Sequence, residues 1–223
     1  MTSIIVQTDQ AVTFVGAGPV NTELLEIALT FAPFLVAVDG GAEMVRNYGK
    51  LPNAVIGDMD SASADALQGI AAQNIHRIAD QNTTDFQKAL GAVSTPLAVG
   101  VGFLGGRADH QMAASNALAR HGQPVLLLGD HDAVFRVPEH IALELEPGTR
   151  ISLFPVAQAR VDSRGLRWPI IDAAMSATGL ISQSNEARDG RVELWAMGGL
   201  LAFLPLHAAG AAITALTRSR QMT

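Results

Sequence analysis

The chain has 223 residues, enough for one large domain or two small ones with room for a real core. Its 48% hydrophobic and 16% charged content is that of a globular protein, and a net charge of −6 argues against a nucleic-acid backbone as main partner, because that affinity needs clustered Lys and Arg. There is no cysteine, which excludes disulfides, thiolate catalysis and Cys-ligated zinc.

The N-terminal ten residues carry no basic flank and no long apolar stretch, so no secretory signal is expected. No uncharged apolar run approaches the ~18 residues of a membrane span, and a cytoplasmic address follows by default. Continuous apolar runs at 11–15, 34–38, 54–56, 96–104 and 124–128 predict strands covered on both faces, as in a parallel sheet. Helical spacing over 22–32, 42–48, 63–73, 84–93 and 109–121 fills the intervals. Asn21 and Ser61 or Ser63 suit N-caps, and Gly49 and Gly122 suit stops. Past residue 135 the helices vanish: 140–146, 150–156, 159–162, 179–183, 191–197 and 200–206 predict short strands between Gly and Pro turns. The segment 129–134 reads as a turn at the join. The chain therefore reads as α/β. A Rossmann-like layered domain with a mostly parallel sheet spans 1–134, and a small all-β sandwich or barrel spans 135–223.

Four acidic segments punctuate the first half: ValAspGlyGly at 38–41, GlyAspMetAspSer at 57–61, AspGlnAsnThrThrAspPhe at 80–86 and GlyGlyArgAlaAspHis at 105–110. Singly, most have plain structural readings as turns or helix caps. Jointly they fall at successive strand ends, where ligands bind in open α/β sheets. Carboxylates suit a hard cation such as Mg²⁺, glycines let backbone N–H groups approach phosphate, and Arg107 can bind phosphate in a bidentate way. Asp58 and Asp60 are two residues apart, so extended backbone would point both the same way about 6.6 Å apart. Asp85 falls in the first turn of a helix, where free N–H groups favour phosphate nearby.

Taken together, ValAspGlyGlyAla (38–42), Pro52 with IleGlyAspMetAspSer (56–61), AspGlnAsnThrThrAspPheGlnLysAlaLeu (80–90) and GlyGlyArgAlaAspHis (105–110) resemble the thiamin pyrophosphokinase family. In the β-rich half, GlyLeuArgTrp (165–168) and SerGlnSerAsn (182–185) resemble that family's thiamin-binding signatures. The resemblance implies transfer of a pyrophosphoryl group from ATP to the hydroxyl of thiamin, giving thiamin diphosphate and AMP. It implies Mg²⁺ held by Asp58, Asp60 and Asp85, with Asp39 and Asp109 completing the acidic catalytic set. Gln81, Thr84, Arg107 and His110 would bind ATP; Trp168, Ser182, Ser184 and Asn185 would line the thiamin pocket. It further implies a homodimer whose pocket is shared between subunits. A pyrophosphokinase for another hydroxymethyl heterocycle such as a pterin, a metal-dependent phosphohydrolase, and a non-catalytic thiamin or nucleotide sensor are the alternatives.

Overall fold

The computed structural model describes residues 3–221. The fold is mixed α/β with a large mixed sheet. Its contacts gather into two units: one of residues up to 117 with 127–130, the other of 118–126 with 131 onward. Among the described residues no helix is long and apolar enough to cross a membrane.

The first unit alternates strand and helix: β1 (Val6–Gln7), β2 (Val12–Val15), α1 (Thr22–Phe31), β3 (Phe34–Val38), α2 (Gly41–Asn47), β4 (Ala54–Gly57), α3 (Ala64–Leu67), β5 (Ile75–Arg77), α4 (Asp85–Ala92), β6 (Val93–Ser94) and β7 (Ala98–Val101). α5 (Ala108–Arg120) and β8 (Val125–Leu128) follow. Strands β7, β2, β3, β4 and β5 lie side by side in that order, every pair parallel. β2, β4 and β7 are buried at every residue, which explains why their sequences do not alternate. Helix starts follow local chemistry. The Asn21 side chain accepts from the Leu24 N–H at 2.7 Å, and Leu24, Leu25 and Ala28 form the buried stripe of α1. Ser63 caps α3, and Thr84 with Gln87 forms a reciprocal capping box on α4. The helix expected over 63–73 is shorter: α3 ends at Leu67, and β5 follows at 75–77.

The second unit is built from antiparallel ribbons: β9 (Asp132–Arg136), β10 (His140–Glu144), β11 (Arg150–Arg164), β12 (Ala173–Met175), β13 (Ser182–Glu186) and β14 (Arg191–Pro205). Three expectations need correction here. The stretch at 129–134 is not only a turn, because Asp132 opens β9. The pairs predicted at 150–156 and 159–162, and at 191–197 and 200–206, are single 15-residue strands. Their ladder slips between Pro155 and Ala159, so an irregularity absorbs the Pro and Gly punctuation that suggested breaks. Helices also do not vanish after residue 135, since α6 (Ala209–Gln221) packs on β10 through buried Ala209, Ala212, Ile213 and Leu216. With Ala215, three of these five buried residues are alanine, which gives helical spacing little hydrophobic contrast.

Candidate active site

In the first unit, β3 and β4 are neighbours with Val38 opposite Ile56, so the residues just past their ends meet. Asp39 follows β3 in the left-handed region at φ 46, its N–H bonded to the Ile56 carbonyl at 2.9 Å. Gly57 makes this approach possible, because a Cβ there would lie 2.8 Å from that of Asp39. Asp58 comes next in the chain. Its N–H donates to Asp85 Oδ1 at 3.2 Å, tying the end of β4 to the first turn of α4.

The result is a cluster in which Asp39, Asp58 and Asp85 each offer a carboxylate oxygen within 4.8 Å of the others. An octahedral ion with bonds of about 2.1 Å spaces its ligand oxygens roughly 3–4 Å apart, so one small cation fits this spread. Asp39 is buried and its Oδ1 has no hydrogen-bond partner, a costly state that a cation would relieve. The donor set is all oxygen, which suits Mg²⁺ over softer metals. Lys88, one turn beyond Asp85, is also buried, with Nζ 3.0 Å from Asp58 Oδ2 and 2.9 Å from Asp85 Oδ1. Its hydrogen bond holds the Asp58 carboxyl below the usual carboxylate range, against the upward pull of burial.

Asp60 is not drawn into this cluster. Met59 has φ 65, so the backbone turns between the two acids rather than running extended, and exposed Asp60 points its N–H at Asp58 Oδ1. The extended-strand geometry expected for the Asp58–Asp60 pair is therefore overturned by a left-handed residue between them.

A cleft of about 570 Å³ opens beside the cluster. Asp39, Ser61, Thr84, Asp85, Arg107 and His110 form its polar lining, and Phe103 and Pro19 contribute to its apolar lining. β7 lies on the opposite side of β2 from β3, so the chain leads from β2 to one side and from β7 to the other, a topological switch point. Arg107 and Asp109 are exposed and joined by a two-point ion pair, with Nε at 3.1 Å and Nη2 at 2.6 Å from the carboxylate oxygens. That pair holds the Asp109 carboxyl below its ordinary range. Gln81 is exposed and lies outside the cleft lining, in a turn closed by Asp80, whose carboxylate accepts from the Asn82 N–H and the Thr83 hydroxyl.

In the second unit, Trp168, Ser182 and Asn185 come together. Buried Asn185 accepts from the Trp168 N–H at 3.2 Å, donates to the Trp168 carbonyl at 2.8 Å, and donates to Ser182 Oγ at 3.3 Å. Its amide is thus occupied in shaping the Trp168 turn. Trp168 is 52% exposed, with the Arg167 guanidinium 4.8 Å from its ring centre. Ser184 is exposed at φ 55, its N–H bonded to Ser152 Oγ.

Sequence reasoning missed two contributions. Lys88 lay inside a quoted motif, and its i+3 spacing from Asp85 was the available signal. The GlyAlaGlyPro turn at 16–19 also lines the cleft, and two glycines directly after an apolar strand pointed to it. A Cβ at Gly18 would lie 2.5 Å from the Gly102 carbonyl, so the loops after β2 and β7 touch only because that side chain is absent.

Comparison with known proteins identifies the family. Residues 25–128 match the model described as thiamin pyrophosphokinase, catalytic domain, and residues 139–201 match the thiamin pyrophosphokinase vitamin B1 binding domain. Thiamine pyrophosphokinase 1 of Oryza sativa subsp. japonica is 30% identical over 164 residues, which cover 64% of this chain and 62% of the rice protein. Thiamine pyrophosphokinase 1 of Arabidopsis thaliana is 30% identical over 190 residues, covering 76% of this chain and 70% of that protein. Among solved structures, thiamin pyrophosphokinase from Candida albicans shares the fold with a TM-score of 0.73 at 14% identity, over 90% of this chain and 92% of that one.

Proposed function

Because the chain belongs to the thiamin pyrophosphokinase family, we propose that it transfers a pyrophosphoryl group from ATP to the hydroxyl of thiamin, giving thiamin diphosphate and AMP. The observation that carries this reading is the three-carboxylate cluster of Asp39, Asp58 and Asp85 beside a cleft bearing Arg107 and His110. In this reading 1–134 is a Rossmann-like nucleotide- and Mg²⁺-binding domain. Residues 135–223 form a sandwich-like or barrel-like domain for thiamin binding and dimerisation.

The chemistry follows from the residues. The thiamin hydroxyl oxygen attacks the β-phosphorus of ATP; that O–P bond forms, the bond to the oxygen bridging α and β breaks, and AMP leaves with that oxygen. Charge spreads over phosphate oxygens in the transition state, so positioning and neutralisation dominate the catalysis. Asp39, Asp58 and Asp85 would hold Mg²⁺, which would supply positive charge against the triphosphate. Asp39, Asp58 and Asp85 are the ligands supported by spacing, and Asp60 acts from outside them through the Asp58 turn. Arg107 offers the phosphates a bidentate donor, with Thr84, His110 and Gln81 at the nucleotide. Asp109 is a poor base, its carboxylate being committed to Arg107, and its part is to aim that guanidinium. With Asp109 committed to Arg107, the hydroxyl proton falls to the second carboxylate oxygen of Asp39, the one other than the Oδ1 left for the cation. Thiamin's thiazolium would stack on Trp168, with Ser182 and Ser184 near and Asn185 holding the Trp168 turn.

The vitamin B1 binding match over 139–201 favours thiamin over a pterin acceptor. A homodimer fits the exposed Trp168, Ile171, Leu180, Ile181 and Met197 of the second unit. ATP as donor fits a cytoplasmic address. Purified protein given thiamin, ATP and Mg²⁺ should form AMP and thiamin diphosphate in equal amounts. Omission of any component, addition of a chelator, or Asp58→Ala should each abolish both products. AMP formation with a pterin but not with thiamin would replace the substrate.

A further inference from the structure

Lys88 is only 3% exposed, yet its ammonium lies among carboxylates proposed to hold a divalent cation. Its ammonium places one positive charge where Asp58 and Asp85 meet, 3.0 and 2.9 Å from their carboxylate oxygens. It engages one oxygen of each partner, Asp58 Oδ2 and Asp85 Oδ1. It is thus bonded to two of the three carboxylates whose oxygens lie within 4.8 Å of one another. With it, the set carries a formal charge of −2, which matches one divalent ion.

We infer that Lys88 is a resident counter-cation that holds Asp58 and Asp85 in place ahead of the metal, so that the metal-binding triad stands assembled in the metal-free protein. The inference rests on the metal-site reading above and makes Lys88 a positioning residue, acting through the two carboxylates. An ordinary buried ion pair would support the fold equally with and without metal. A counter-cation also repels the incoming ion, so its removal should trade metal-free stability for metal affinity. Lys88 thereby sets how strongly the protein depends on its metal to stay folded.

The test uses the full chain as wild type, Lys88→Met and Lys88→Met/Asp58→Asn. Melting is followed in chelator and in Mg²⁺, and Mn²⁺ binding is followed by calorimetry. Lys88→Met should melt lower than wild type in chelator and gain more from Mg²⁺, because it binds the ion about tenfold tighter once a repelling charge is gone. The double variant, relieved of one carboxylate charge, should recover metal-free melting toward wild type. If Lys88→Met fails to fold in chelator, folding on addition of Mg²⁺ or recovery in the double variant supports the inference, and failure of both overturns it. Equal loss of melting temperature with and without Mg²⁺, at unchanged Mn²⁺ affinity, also overturns it. Wild type that binds no Mn²⁺ would instead sink the metal-site reading, and the double variant's melting in chelator would still decide the part played by Lys88.

Discussion

Asp39→Asn is predicted to stabilise the metal-free protein while removing its activity. Asp39 is buried, its Oδ1 is unpartnered, and two further carboxylates lie within 4.8 Å. An amide of the same shape removes one negative charge and offers N–H donors to Asp58 or Asp85. The φ of 46 is no obstacle, since Asn tolerates the left-handed region at least as well as Asp. An unsatisfied buried acceptor costs about 1–3 kcal/mol. Relief of part of that cost, about 1–2 kcal/mol, corresponds to a rise of roughly 3–6 °C in Tm for a chain of this size. In Mg²⁺ the order should reverse, because wild type gains from an ion that the variant holds weakly. Turnover should fall at least about a hundredfold, the scale of losing a positioned proton acceptor. Scanning calorimetry in chelator and in MgCl₂, beside a product assay, reads all three effects. A lower Tm in chelator would refute the argument, because it would mean that the Asp39 carboxylate is satisfied in the folded chain.

Further outcomes follow from single sites. Gly41→Ala puts a Cβ 1.9 Å from the Val15 carbonyl oxygen, a backbone clash that should cost about 3 kcal/mol or more in denaturant melts, whereas Gly122→Ala, with no atom within 4 Å, should be nearly neutral. Asn185→Ala strands the Trp168 N–H and carbonyl and should cost about 1–3 kcal/mol, with KM for thiamin rising more than kcat falls. Arg107→Ala should change Tm little, because the pair with Asp109 is exposed, yet it should raise KM for ATP. Burial first, and then the Arg136 charge, depress the His121 pKa, so the unfolded chain binds its proton more readily. Stability from this residue is complete above about pH 6.5 and is lost as pH falls toward the folded-state pKa. His121→Gln should flatten that part of a stability–pH curve.

The parallel layer was legible because each buried strand is a short continuous apolar run and each helix start carries its own cap. Asn21, Ser63 and Thr84 all cap as their sequence context suggests. The ribbon β11–β14 was misread as fragments, because Pro155 and Gly198 look like strand ends in one dimension. Only the pairing shows that the ladder is continuous on either side of the shift. At the site, the acids were identifiable by type and place, but their grouping was not. Asp39 joins Asp58 through the register of β3 with β4, and the left-handed Met59 turns the backbone before Asp60, which stays outside the group. Lys88 stayed hidden because a lysine in a helix is ordinarily solvated. Its burial is set by partners 3 and 30 residues away in the chain.

The most direct test is ³¹P NMR of the purified chain with thiamin, ATP and Mg²⁺. AMP and thiamin diphosphate should appear together in equal amounts, without ADP, and Asp58→Ala should show no reaction. Release of ADP and free phosphate at the same rate with or without thiamin would contradict this, because the acidic cluster would then be activating water instead of directing the thiamin hydroxyl to the β-phosphorus.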